Sequence, residues 1–136
     1  SRDWSSDVCS SDLFITLGAI NAFIAIGLGA FGAHGLKTIL SESALQTWQT
    51  AVDYHGFHAL GLILIGILAP TIPAVLRSGW WMVTGIILFS GSLYLLSLTD
   101  IKILGAITPF GGGCFLISWM IVAWYSFKVD QPPKTL

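Results

Sequence analysis

Four long apolar runs, parted by short polar stretches, organise the chain. Leu13–Ala33 carries no charged residue, Gly56–Ile72 is closed by Pro70 and Pro73, and Trp80–Leu98 is a third run. A fourth is best drawn from Pro109 to Phe127, with Thr108 as an N-cap oxygen and Pro109 in the first turn, where its missing N–H costs nothing. A bilayer core about 30 Å thick needs roughly 20 apolar residues per helix, and each run meets or approaches that length. Between the first two runs, Ser43 and Gln46 have the spacing of a capping box, and Leu45, Trp48 and Val52 recur at i, i+3 and i+7. The pattern predicts an all-α, four-helix transmembrane bundle with a short amphipathic interfacial helix leading into the second span.

Composition agrees with lipid as the solvent. The 136 residues are 54% hydrophobic and 10% charged, where a soluble domain carries about a quarter charged. Mean hydropathy is +0.81. A formal net charge of −1, with no run of Lys or Arg, excludes a polycationic nucleic-acid binder. Two cysteines, Cys9 and Cys114, make no disulfide framework and no Cys-x-x-Cys.

Asp3–Leu13 reads DWSSDVCSSDL, which resembles the in-frame translation of a common sequencing-adapter oligonucleotide. Residues 1–12 are therefore expected to be non-native and are set aside for function, as a fusion scar would be. The remainder holds five basic residues (Lys37, Arg77, Lys102, Lys128, Lys134) and four acidic ones (Glu42, Asp53, Asp100, Asp130), a net charge of +1. Residues 128–136 form a short polar tail.

Four spans return both termini to one side. Arg77, Lys128 and Lys134 fall on that side and Lys37 and Lys102 on the other, which favours cytoplasmic termini. Trp80, Trp81, Trp124 and Tyr125 are expected in an aromatic belt at the terminal side, and Trp48 and Tyr54 in one at the other. Ala25, Gly29 and Ala33 form a small-xxx-small stripe, and Gly91 between Ser90 and Ser92 offers a similar flat spot. Packing within the bundle is their expected use, ahead of an oligomer seam.

Candidate chemistry collects on the side away from the termini. His55 and His58 stand one turn apart, and His34 ends the first span on the same face, with Asp53, Asp100, Lys102 and Thr108 nearby. In one reading His34, His55 and His58, with Asp53, bind a metal or a proton-linked ligand, since imidazoles at i, i+3 can share a metal. Without Cys or a His-Glu-x-x-His arrangement, interfacial histidines that cap helix ends are the favoured reading. The candidate site is thus an interfacial polar cluster of His34, Tyr54, His55, His58 and Thr108, and no catalytic, cofactor or metal residue is assigned. Gly111-Gly112-Gly113 lacks the lysine of a phosphate loop and is expected to serve close helix packing. Cys114 reads as a small buried hydrophobe. Within the spans as drawn no ionisable residue reaches mid-depth, and Asn21 is the deepest strongly polar side chain, expected to bond between helices. A proton-coupled antiporter is disfavoured accordingly.

Four segments in order, GAFGAHGLK (29–37), TAVDYHGFHALGL (50–62), FSGSLYLLSLT (89–99) and GAITPFGG (105–112), resemble the small membrane proteins of domain-of-unknown-function family 423, the YgdD/YwdK-like group. The resemblance covers nearly all of residues 14–127. It implies a bacterial inner-membrane protein of four helices, and a polar signature at His34, Tyr54, His55, His58, Ser90, Ser92, Thr108 and Pro109. It supplies no mechanism. Two positions depart from the pattern, Asp100 and Ser118, each where a glycine is expected. The function expected is that of a non-enzymatic accessory or a ligand- or lipid-interacting component, with no cofactor. The alternative is a subunit of a small oligomeric transporter or channel. Its partner is the lipid bilayer, with room for a homo-oligomer or a membrane-protein partner and no nucleic acid.

Overall fold

The computed structural model describes residues 4–129, with side chains from residue 9 onward, and every regular element among them is helical. Residues 1–3 of the expected non-native segment and 130–136 of the expected tail, Lys134 included, lie outside the described residues. The elements are α1 (Trp4–His34), α2 (Glu42–Leu68), α3 (Leu76–Gly85), α4 (Ser92–Thr99) and α5 (Leu104–Val129). A 3-10 turn, Pro73–Val75, precedes α3, and a π-helical stretch, Ile86–Gly91, joins α3 to α4. Among the described residues four helical stretches are long and apolar enough to cross a membrane: Cys9–His34, Glu42–Leu68, Pro73–Thr99 and Leu104–Val129.

The helix ends follow local chemistry, at places other than those the sequence pattern suggests. Ser41, two residues before the expected cap, starts α2, its hydroxyl accepting the Ala44 N–H at 3.2 Å. From there α2 runs unbroken for 27 residues. The amphipathic segment expected to lead into the second span is its first half, and the Trp48–Val52 stripe packs on α1: added Cβ atoms at Gly32 and Gly29 would meet Trp48 and Val52. At the fourth span the helix begins at Leu104, so Pro109 stands inside it and Thr108 is no cap. Proline has no N–H for the Gly105 carbonyl. The Thr108 hydroxyl instead bonds the Leu104 carbonyl (3.3 Å) and lies 2.7 Å from the Ser92 hydroxyl on α4.

Extensive packing runs between successive spans: α1 on α2, α2 on the third span, and the third span on α5. Small residues set the close approaches. Added Cβ atoms at Gly18 and Gly66 would overlap α1–α2 neighbours, and one at Gly111 would overlap the Phe89 backbone in the π stretch. Of the predicted stripe, Ala25 is buried and Gly29 faces Val52, whereas Ala33 is exposed.

The interior has two halves. Toward the terminal end, Phe14, Leu62, Ile65, Val75, Met82, Ile86 and Phe115 form an apolar core. Toward the opposite end, aromatic and polar groups, Trp48, His55, Ser90 and Ser92, are buried beside Leu36 and Ala51. Large apolar side chains such as Phe23, Ile26, Phe110, Leu116 and Met120 stand 70% or more exposed on the outer faces, the surface a bilayer would solvate.

Candidate functional site: two histidine networks and a lateral cleft

His55 is the fourteenth residue of the 27-residue α2, equidistant from its ends, and His58 follows one turn later. At about 1.5 Å per residue each lies many ångströms from either helix end. His55 and His58 therefore stand midway along α2 rather than at the start of a span. The sequence pattern misplaced them because the second span was drawn from Gly56, after the polar first half of what is one helix.

Their partners fix opposite tautomers. Asn21 Nδ2 donates to the Leu17 carbonyl at 2.8 Å, which leaves Asn21 Oδ1 to accept from His55 Nε2 at 2.9 Å. His55 Nδ1 then accepts the Tyr94 hydroxyl at 3.0 Å. This line joins α1, α2 and α4, and Asn21 bonds between helices as expected. Beside it Trp48, 3% exposed, donates its indole N–H to the Leu28 carbonyl at 2.9 Å and meets the Tyr94 ring edge-on at 4.7 Å between centroids. Trp48 thus belongs to the interior rather than to an aromatic belt. In the second network, an indole N–H only donates and a carbonyl only accepts. Trp119 Nε1 donates to His58 Nε2 at 3.1 Å, so the imidazole carries its proton on Nδ1 and donates to the Tyr54 carbonyl at 2.7 Å. The ring lies flat on Phe115, centroids 3.5 Å apart and planes 6° apart.

The predicted cluster is accordingly divided. Tyr54 and His58 come together, their rings stacked at 6.1 Å. His55 belongs to the separate Asn21–Tyr94 line, and Thr108 pairs with Ser92. His34 ends α1 exposed, with no hydrogen bond or ring contact to the other four. No group of three or more His, Cys, Asp or Glu able to hold a metal gathers among the described residues.

α2 and α5 meet through His58, Phe115 and Trp119, and a cleft of about 780 Å³ lies against this contact, lined from both helices and by Phe89. Tyr54, Phe57, Phe89, Phe115 and Trp119 supply its aromatic wall, and Gly112, Gly113 and Pro109 its open side on α5. The His58–Trp119 hydrogen bond crosses between the two helices at this cleft. Asp53 lines it too, exposed, with Gln49 Nε2 donating to its Oδ1 at 2.8 Å. Sequence reasoning missed Trp119, Phe115 and Tyr94 as site residues. A Trp in the middle of an apolar run was the available signal, since an indole N–H there needs an acceptor on another helix.

The two departures from the family-like pattern also find places. Ser118 is fully buried and donates to the Ser78 carbonyl at 2.8 Å. Asp100 is the one non-glycine residue with positive φ among those described.

Comparison with known proteins completes the picture. Residues 28–112 match the family described as "Protein of unknown function (DUF423)". The chain is 57% identical over 119 residues to the UPF0382 membrane protein YwdK of Bacillus subtilis (strain 168), covering 85% of this chain and 97% of that protein. It is 48% identical over 118 residues to the UPF0382 membrane protein SSP2132 of Staphylococcus saprophyticus, covering 86% and 98%. A Staphylococcus aureus relative, SAB0533, is 49% identical over 117 residues, covering 85% and 96%. No solved structure matches the chain. With its four membrane-length helices, the chain belongs to the DUF423 family and is an integral membrane protein whose relatives carry no assigned activity.

Proposed function

We propose that this protein is a non-enzymatic binding component of the bacterial inner membrane, taking a hydrophobic ligand from the bilayer into the cleft between α2 and α5. The observation that carries the reading is the cleft itself: about 780 Å³, walled by five aromatic rings, within the usual size range of small-molecule sites. The non-enzymatic reading is supported by the histidines. Both nitrogens of His55 and of His58 are engaged by protein partners, so neither ring stands ready as a base for a bound substrate. Cytoplasmic termini are part of the same proposal, supported by Arg77 and Lys128 at the terminal end.

The test uses the full chain in phosphatidylcholine nanodiscs and the neutral dye 4-(4-dimethylaminostyryl)pyridine, read by energy transfer from tryptophan. Saturable binding above that of empty nanodiscs is expected. Gly112→Leu should remove it, because a side chain at Gly112 points toward Phe89, with the added Cβ 3.8 Å from that ring. Signal that rises linearly with dye, identical in parent and variant, is mere partition into lipid and ends the proposal.

A further inference from the structure

The charge of the cleft, taken together with the binding reading on which this inference rests, says more about its occupant. Among the lining residues Asp53 is the one carboxylate, and no Lys or Arg lines the cleft at all. Among the described residues the only ion pair is Lys102 with Asp100, in the exposed turn before α5, so Asp53 has no cationic partner; its bond is from the neutral amide of Gln49. Yet Asp53 is not at the end of the molecule. It stands eleven residues into α2 from Glu42, about 16 Å along the helix axis. Its neighbours on α2 pack against α1 well below that helix's end, Val52 against Gly29 and Gly56 against Ala25. A carboxylate eleven residues along a membrane-length helix, on the wall of an apolar cleft and without a counter-ion, complements a positively charged occupant.

The rest of the wall fits the same ligand. Cations are attracted to the faces of Trp, Tyr and Phe, and all three ring types line the cleft. We propose that the cleft binds a lipophilic organic cation, an amine or quaternary ammonium carrying an aromatic or alkyl body, with Asp53 as its counter-ion and the rings of Tyr54, Phe57 and Trp119 around the apolar part. A phospholipid headgroup fits less well. It would bring a phosphate toward Asp53 and find no basic side chain in the cleft to receive it.

A matched pair of dyes tests this: the same neutral styrylpyridine, and its N-methylpyridinium derivative, which adds a permanent positive charge to nearly the same shape. In the same nanodiscs, with empty discs subtracted, the cation should bind at least about tenfold more tightly than the neutral dye. Asp53→Asn should abolish that preference, so that within the variant the two dyes bind with affinities within about twofold of one another. The variant is suited to the purpose, because Asp53 is exposed and an Asn oxygen still accepts from Gln49. Equal binding of the two dyes by the parent, or a preference untouched by Asp53→Asn, overturns the counter-ion role while leaving the cleft as an apolar site. Loss of cation binding on replacing phosphatidylcholine with phosphatidylethanolamine, in parent and variant alike, assigns the cleft to a lipid headgroup and overturns it also. Absence of saturable binding by either dye removes the underlying binding reading, and this inference with it.

Discussion

At Asp100 the chain leaves α4 with φ 56° and ψ 24°, its N–H still bonded to the Leu96 carbonyl at 2.9 Å. This is the left-handed helix terminator that glycine adopts without cost and that most side chains resist. Aspartate is among the residues that tolerate it, and here it pairs with Lys102 at 2.7 Å. Both side chains are more than 80% exposed, so the pair is worth little, about 0–1 kcal/mol. Asp100→Gly is therefore expected to hold or raise stability, by up to about 1 kcal/mol, despite losing an ion pair. Reversible unfolding in detergent checks it; a loss of more than about 1 kcal/mol would show the pair outweighing the backbone. That glycine was expected at this position from the family-like pattern alone, and the dihedral angle now gives the reason. The histidines were legible in kind but not in depth. Their chemistry depends on Asn21, Tyr94 and Trp119, which lie 34, 39 and 61 residues away in sequence and carry no local signal of pairing.

Among the elements, the third span shows most plainly what a hydrophobic pattern leaves out. The pattern placed it at Trp80–Leu98, whereas the helical stretch runs Pro73–Thr99, and it did not show that Ile86–Gly91 widens into π geometry, where the Phe89 backbone meets Gly111 of α5. Such wide turns cost hydrogen-bond geometry and tend to persist where they place a group that matters. Here the placed group is the Phe89 ring, which lines the cleft. Pro109 misled the sequence reading for a related reason: proline favours a helix start, but α5 begins five residues earlier and tolerates it. The glycine run gives a contrast within one helix. At Gly111 an added Cβ would run into the Phe89 N and Cα atoms, which cannot yield as a flexible side chain would. Gly111→Ala should cost about 1–3 kcal/mol by forcing α5 from the π stretch. At Gly112 the added Cβ makes ordinary contact 3.8 Å from the Phe89 ring, and alanine in a helix gains up to about 1 kcal/mol over glycine. Gly112→Ala should thus be neutral or stabilising. Thermal unfolding of the pair in detergent decides it, and equal effects at both sites would contradict the close approach.

Over the whole molecule, four spans were legible because twenty apolar residues in a row have few other uses. Which spans border a cleft was not, because periodicity marks a buried face without naming its partner. The cleft at α2 and α5 exists only in the assembled bundle, and so does the place of Asp53 on its wall. Orientation is set at this scale too. The described basic residues divide by end: Lys37 and Lys102 in the turns before α2 and α5, Arg77 at the start of α3 and Lys128 at the end of α5. Arg77 follows the short turn between α2 and α3, and charges close to span ends weigh most in setting topology. Lys128 sits 4.9 Å over the Trp124 ring, pairing a cation with a ring that suits an interface. The proposed cytoplasmic termini predict a labelling pattern for single cysteines in a background lacking Cys9 and Cys114. In intact cells a membrane-impermeant maleimide should modify Lys37→Cys and Lys102→Cys. Arg77→Cys, exposed in the folded chain, should react only after the membrane is opened. The inverse pattern would place Arg77 outside. Asp53, nearer along α2 to the Lys37 end, would then face a cleft filled from the cytoplasmic leaflet instead of the outer one.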